Sequence, residues 1–202
     1  LGLSLYTYTA ARAAPLLFLL SLALIWLRSR ELGINRRALV RSCVAILGTM
    51  AAVALPLILY FLRHPEFFGE HAAYVSIFND RFSAGDPLAA LWTSSSQTVL
   101  MLVGLASDPN LRHNPAARPA FEWFWGIWLA IGLLSALVSW RKAAHFFALL
   151  WTGVFLAPVV LSAEGVPHSL RSIVLLPGLC LIAVLGMEWA GGVLARGLRP
   201  SW

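Results

Sequence analysis

Three short segments carry most of the polar side chains that could do chemistry in this chain of 202 residues. The segment 108–115 places Arg112, His113 and Asn114 side by side. Arginine and histidine form charge-assisted hydrogen bonds with phosphate, so this spacing favours a site for a sugar or a phosphate. An exposed turn is the alternative, because Asp, Asn and Pro are common turn residues.

The second segment, 162–172, contains Glu164, His168 and Arg171 between two apolar runs. His168 and Arg171 are three residues apart, so they could share one face at the start of a helix. Backbone N–H groups at a helix N-terminus favour anions, which makes a phosphate anchor one hypothesis for this segment. An ordinary solvated loop is the other.

The third segment is the entry stretch, residues 1–12, with Tyr6, Tyr8 and Arg12. Tyrosines and long basic side chains commonly lie at membrane interfaces, so an aromatic belt with a snorkelling arginine would explain them. Alternatively, Arg12 pairs with a lipid phosphate and the tyrosine hydroxyls donate hydrogen bonds to it.

Other kinds of site receive little support from the sequence. A histidine and glutamate group between residues 64 and 71 has no convincing metal-ligand spacing, so we expect no metal site and no cofactor, although a divalent cation stays open. Cys43 and Cys180 both fall in apolar runs and predict buried thiols. The chain carries no phosphate-binding P-loop, no dinucleotide fingerprint and no nucleophile elbow.

The elements that must position these segments are apolar. The chain is 59% hydrophobic and only 12% charged, and its apolar residues form runs of about 20 residues, enough to cross a bilayer. We therefore predict an all-α, polytopic transmembrane helical bundle over residues 1–202. The predicted spans lie near 9–27, 40–62, 122–140, 143–161 and 173–195. Residues 87–107 have a polar centre and one apolar face, which predicts a helix lying in the membrane interface.

The distribution of charge supports five spans with the N-terminus outside. The inner side then holds nine basic residues and the outer side six; if 87–107 also spanned, the counts would be eight and seven. The positive-inside rule prefers the first arrangement. It also explains the net charge of +6 without a nucleic-acid partner. The inner basic residues are Arg28, Arg30, Arg36, Arg37, Arg41, Arg141, Lys142, Arg196 and Arg199.

The three polar segments together resemble motifs of a known family. They are similar to bacterial dolichyl-phosphate-mannose-protein mannosyltransferase-like enzymes, which are multi-spanning GT-C glycosyltransferases of the glycosyltransferase 39 type. The resemblance covers most of the chain. It rests on Gly2-Leu3-Ser4-x-Tyr6-Thr7-Tyr8 with Arg12, on Asp108-x-Asn110-x-Arg112-His113-Asn114, and on Glu164-Gly165-x-Pro167-His168-x-Leu170-Arg171.

This resemblance implies a membrane enzyme that moves a hexosyl or pentosyl group from a polyprenyl-phosphate donor to a protein or lipid acceptor, with inversion. It places the active face outside a bacterial cytoplasmic membrane. Tyr6, Tyr8, Arg12, Glu164, His168 and Arg171 would flank the donor phosphate, and Arg112, His113 and Asn114 would line the cavity. The family's base is an acidic residue of an earlier outer loop. Because the chain begins at Leu1 without a signal peptide, we expect a later part of a larger enzyme that lacks this base.

Two other functional classes stay open from the sequence. A transporter or lipid flippase would need ionisable residues at mid-membrane depth, whereas most charges here lie at helix ends. A membrane transferase resembling the O-antigen ligases would carry its key arginine and histidine on one large outer loop.

Overall fold

The computed structural model describes residues 1–7 and 9–197, and within them the chain is all-α. The only extended pairing among these residues is an isolated antiparallel bridge between Ser76 and Ser162. The chain divides into two compact units, Leu1–Tyr74 and Val75–Trp202. The predicted fold class is confirmed.

The first unit begins with two 3-10 helices and continues into long apolar helices. Asn35 caps the second α-helix, since its side-chain oxygen accepts hydrogen bonds from the backbone N–H groups of Arg37 and Ala38. The elements are the 3-10 helices Leu3–Tyr6 and Thr9–Ala13, then α1 (Ala14–Leu27), α2 (Arg36–Arg63) and α3 (Glu66–Val75), which ends where the second unit begins.

The second unit contains the remaining helices and both of the later polar segments. Three of its α-helices, α6, α7 and α9, pack against one another. Its elements are α4 (Asp80–Ser83), α5 (Pro87–Leu102), α6 (Trp123–Val138), α7 (Ala143–Val160), α8 (Ser169–Ser172), a 3-10 turn (Ile173–Leu175) and α9 (Leu176–Gly197).

Two glycines make the contact between α6 and α9 possible. A Cβ atom built on Gly132 would overlap the carbonyl group of Ile182, and one built on Gly186 would overlap the carbonyl of Trp128. The two backbones therefore touch, as at the small-residue contacts of membrane helices. Ala136, one turn beyond Gly132, is fully buried. The polar segment 108–115 precedes α6 and the segment 162–172 leads into α9, so this contact helps to position both segments.

Helix α5 forms where the sequence predicted a helix near 87–107, and its two faces differ in exposure. Ser94 and Thr98 are each 1% exposed, whereas Leu88 and Trp92 are 78% and 74% exposed. The polar face therefore packs inward and the apolar face points outward, as expected for a helix that contacts lipid. The helix ends at Leu102, five residues before the predicted end, because Gly104 adopts a positive φ of 82° in the turn that follows.

Within the described residues, four helical segments are long and apolar enough to cross a membrane, and the chain is an integral membrane protein. They match four of the five predicted spans. The fifth, α6, is apolar but has only 16 residues, about 24 Å of helix. It ends at Val138, before the predicted boundary at Trp140. The four segments are Ala10–Leu27, Arg36–Arg63, Ala143–Val160 and Ser169–Arg196.

Candidate functional site

Two polar segments that are far apart in the sequence meet in the second unit. The carboxylate of Asp108 accepts a hydrogen bond from the backbone N–H of Ser169 at 2.8 Å, across 61 residues of chain. Asp108 is 1% exposed. A buried carboxylate is tolerated only where N–H donors replace water, so this bond ties the two segments together.

The segment around Asp108 is a turn held by its own side chains. The second carboxylate oxygen of Asp108 accepts from the backbone N–H of Asn110 at 2.8 Å. The amide nitrogen of Asn114 donates to the carbonyls of Asp108 and Arg118, at 3.2 and 2.7 Å, and its oxygen accepts from the N–H of Arg118. Asn114, predicted to line the cavity, therefore closes this loop with both ends of its amide.

The segment that contains His168 is anchored from three sides. Its start is fixed where the backbone N–H of Ala163 donates to the carbonyl of Val75 at 2.8 Å. The hydroxyl of Ser94 on α5 donates to the carbonyl of Ser162 at 3.0 Å. Beyond the segment, the indole N–H of Trp151 on α7 donates to the carbonyl of Val174 at 2.8 Å. These bonds hold the segment between two membrane-length helices.

The imidazoles of His113 and His168 stack on each other. Their ring centroids lie 4.6 Å apart and the planes are inclined by 29°. The Nδ1 atom of His113 is buried and has no hydrogen-bond partner among the described residues; it lies 4.0 Å from the carboxylate of Asp108, too far for a hydrogen bond.

His168 is the N-cap residue of α8. Its Nδ1 accepts from the backbone N–H of Arg171 at 3.3 Å, which places the proton of the neutral ring on Nε2. Burial lowers the pKa of His168 below 6.5; the charges of Arg171 and His113 lower it further, and Asp108 and Glu164 partly oppose them. The ring is therefore neutral at neutral pH and offers an N–H group as a hydrogen-bond donor.

Arg171 forms an ion pair with Glu164. Its guanidinium donates to the carboxylate of Glu164 at 2.7 Å and to the same residue's carbonyl at 2.6 Å. The side chain of Arg171 is 7% exposed and that of Glu164 is 40% exposed. The arginine is thus fixed in the protein, and the carboxylate is the partner that solvent or a ligand can reach.

Arg112 and Glu164 were also predicted as site residues, and they lie in different surroundings. The side chain of Arg112 is exposed, and its backbone N–H donates to the side-chain oxygen of Asn110 at 3.0 Å. Glu164 belongs to the cluster around His168 through its bond to Arg171. The structure thus brings His113, Glu164, His168 and Arg171 together, and leaves the Arg112 side chain exposed.

The predicted residues of the entry stretch lie in the first unit. The hydroxyl of Tyr6 donates to the carbonyl of Val53 at 2.8 Å. The guanidinium of Arg12 lies 5.6 Å from the ring centroid of Phe61, a cation–π contact. Tyr8 lies outside the described residues. Tyr6 and Arg12 therefore both contact helix α2 of the first unit.

Asp108, His113 and His168 are the group within the described residues that could hold a metal ion, with ligand atoms within 4.8 Å of one another. A carboxylate and two imidazoles suit a borderline cation such as Zn²⁺. However, His168 accepts an N–H at Nδ1, so its Nε2 carries the proton and cannot bind a cation. Metal binding would require His168 to release Arg171, and the arrangement is better suited to hydrogen bonding. In the group near residue 64, His64 and Glu66 make an exposed contact of 3.5 Å.

Asp108 and Ser169 are the residues of this cluster that sequence reasoning did not assign to the site. Asp108 stands in a motif of the resemblance, but its Asp-Pro-Asn context also describes an ordinary turn. The partner it binds is a backbone N–H, which has no signature in the sequence.

Comparison of the chain with protein-family models, with curated proteins and with solved structures finds no match.

Proposed function

We propose that the chain belongs to a membrane glycosyltransferase of GT-C type. The enzyme would transfer a hexosyl or pentosyl group from a polyprenyl-phosphate donor to a protein or lipid acceptor on the extracytoplasmic face of a bacterial membrane, with inversion. One observation carries the proposal. The two motif segments that resemble this family, 108–114 and 164–171, pack on each other through the bond between Asp108 and Ser169.

The chemistry of the cluster suits a phosphate leaving group. Negative charge grows on the phosphate as the sugar departs, and fixed donors stabilise that charge. His168 supplies a neutral Nε2–H donor, and the stacked His113 stands beside it. Arg171 supplies a fixed positive charge, whose present partner is the partly exposed Glu164. A donor phosphate would share or replace that carboxylate.

The position of the cluster along the chain also supports a lipid-linked donor. The segment 164–171 leads from α7 into the stretch Ser169–Arg196, and both α7 and that stretch are long enough to cross the membrane. A polyprenyl chain can stay in the lipid while its phosphate reaches a segment at the membrane edge. The general base stays unassigned, because both oxygens of Asp108 already accept backbone N–H groups and Glu164 binds Arg171.

The experiment is a transfer assay with the complete enzyme in liposomes and a radiolabelled polyprenyl-phosphate sugar. We expect His168→Ala to lower transfer by about 100-fold or more, the loss typical of one removed donor to a developing charge. His64→Ala is the matched control, since that histidine is exposed and pairs only weakly with Glu66; its activity should match that of the wild type.

The assay also separates the proposal from its rival. Equal transfer by wild type and His168→Ala would remove His168 from the site. Movement of the labelled donor across the bilayer without release of polyprenyl phosphate would contradict a transferase and support a flippase.

A further inference from the structure

A second polar site lies at the other end of α7. There residues on or next to α6, α7 and α9 line an open cavity of about 210 Å³, among them Lys142, His145, Glu188 and Arg196. Helix α7 has 18 residues, about 27 Å of length, between this cavity and the segment that carries His168. None of these residues takes part in the cluster around Asp108, so the cavity is a separate feature.

The N-terminus of α7 is a second feature of this region. Lys142 is its N-cap residue, and its side chain makes no capping bond in the described chain. The first N–H groups of an α-helix have no partner within the helix and carry a partial positive charge. An uncapped end of this kind attracts negative groups, but needs a further observation to indicate a ligand.

His145 provides that observation. It is 9% exposed and lines the cavity, and its Nδ1 atom is buried without a hydrogen-bond partner in residues 1–7 and 9–197. Because this atom has no accessible surface, a ligand in the cavity can bond the ring only at Nε2, which makes no hydrogen bond to the described residues. The hydroxyls of Ser135 and Ser139 line the same space and add further donors.

The charge balance of the cavity favours an anionic ligand. Lys142 and Arg196 contribute two positive charges and Glu188 one negative charge, which leaves one positive charge besides the helix N-terminus. The Nε of Arg196 donates to the carbonyl of Gly192 at 3.0 Å, which holds the guanidinium near the helix end. A phosphodiester carries one negative charge and accepts several hydrogen bonds.

An adjoining apolar cavity distinguishes a lipid from a free phosphate. It measures about 370 Å³ and is lined by Ile131, Leu134 and Val138. It shares Ser135, Ser139 and Trp189 with the polar cavity. A polar pocket next to an apolar one matches a phospholipid, whose charged headgroup and acyl chain are joined, and basic pockets between membrane helices bind such headgroups.

We propose that the paired cavities between α6, α7 and α9 bind an anionic phospholipid, with its phosphate against Lys142, His145 and the N-terminus of α7. The acyl chain occupies the apolar cavity. This site does not depend on the proposed transferase activity, because its occupancy is measured directly as lipid binding.

The test uses the full chain, purified in mild detergent, with phosphatidylglycerol, phosphatidylcholine or inorganic phosphate added. Native mass spectrometry counts bound lipid, and the unfolding midpoint reports stabilisation. We expect phosphatidylglycerol to bind and stabilise, and phosphatidylcholine and inorganic phosphate to do so far less. Lys142→Gln should weaken phosphatidylglycerol binding by about fivefold, as is typical for one basic residue at an anionic membrane surface.

His145→Gln should weaken the same binding. If His145→Gln does not fold, Lys142→Gln still tests the proposal, because Lys142 is exposed. Arg63→Gln is the control: it removes an exposed basic residue from a helix end of the first unit and should bind like the wild type. Equal binding of the two lipids, or unchanged binding by Lys142→Gln, would overturn the proposal. Equal stabilisation by inorganic phosphate would overturn the assignment to a lipid.

Discussion

The two ends of α7 differ in how their polar side chains are paired. Beyond its C-terminus, Asp108, His168 and Arg171 are bonded to partners of the protein itself, including a backbone N–H 61 residues away. At its N-terminus, His145 is buried with an unpartnered ring nitrogen beside an uncapped helix end. Apart from His113, whose Nδ1 is also unpartnered, the first cluster is organised by bonds within the protein, whereas the imidazole of His145 makes no hydrogen bond to the described residues.

This difference leads to opposite expectations for mutation. Removing a paired buried group leaves its partner unsatisfied and destabilises the protein, but removing an unpaired one leaves nothing behind. Both ends of α7 lie in the unit that the contact between α6 and α9 holds together. We therefore expect the largest loss of stability when that contact is broken.

Gly132→Val tests that common support. A side chain at this position would overlap the carbonyl of Ile182, and the two helices would have to separate. We expect a loss of about 3 kcal/mol in the free energy of unfolding, at the upper end for overpacking. Denaturant titration of the purified protein in detergent measures it.

Gly153→Val is the control for this substitution. Gly153 lies inside α7 and, among the described atoms, a Cβ there meets nothing within 4 Å. Its unfolding free energy should stay within about 1 kcal/mol of the wild type, the range of helix propensities. Equal losses for the two variants would show that the backbone contact does not decide stability.

Asp108→Asn tests the paired end. The amide keeps the shape of the carboxylate but turns an NH₂ group towards one of the two N–H donors, from Asn110 or Ser169. We expect a loss of about 1–3 kcal/mol, the cost of a buried unsatisfied group. A transfer assay should also show reduced activity, because His168 is adjacent to the broken bond.

Glu122→Gln makes the same chemical change at an exposed helix end where, in the described structure, the side chain makes no capping bond. It should leave both stability and activity unchanged. If Asp108→Asn also changed neither stability nor activity, neither property would depend on the bond between Asp108 and Ser169.

The membrane-length helices could be predicted from sequence because apolar runs of sufficient length have few alternatives. The ends of the helices were harder to predict. Helix α5 ends early, before Gly104 with its positive φ, and α6 ends at Val138. Gly132, Gly153 and Gly186 are each followed by an alanine four residues later, but a Cβ atom would overlap another helix's backbone at Gly132 and Gly186, whereas at Gly153 it meets nothing within 4 Å among the described residues. Spacing alone cannot tell which glycine faces another helix.

The candidate site was predictable only in part. Arginine and histidine in short polar segments indicated where to look, and His113, His168 and Arg171 do come together. The sequence could not show that Arg171 is paired with Glu164, or that Asn114 is used to close a loop. Those roles depend on which neighbour each side chain meets after folding.

Glu164→Gln makes a smaller change at the paired end. The amide oxygen can still accept from Arg171, but the charge is lost. Because the side chain of Glu164 is 40% exposed, solvent screens the pair, and we expect a loss below about 1 kcal/mol. Added salt should reduce the difference between wild type and variant; an undiminished difference at high salt would show that the pair acts through geometry rather than charge.

His145→Leu should have the smallest effect on stability and gives the sharpest contrast between the two ends. Leucine replaces a buried ring whose Nδ1 has no partner in the described chain, so the variant loses no hydrogen bond there and no longer buries an unsatisfied atom. In detergent without anionic lipid we expect its unfolding free energy to stay within about 1 kcal/mol of the wild type, or to rise. His168→Leu is the counterpart at the paired end and should lose about 1 kcal/mol, because it removes the capping bond to Arg171. Phosphatidylglycerol should then stabilise wild type and His168→Leu more than His145→Leu. A large loss in His145→Leu without lipid would mean that His145 is already satisfied within the protein, and the two ends of α7 would no longer differ.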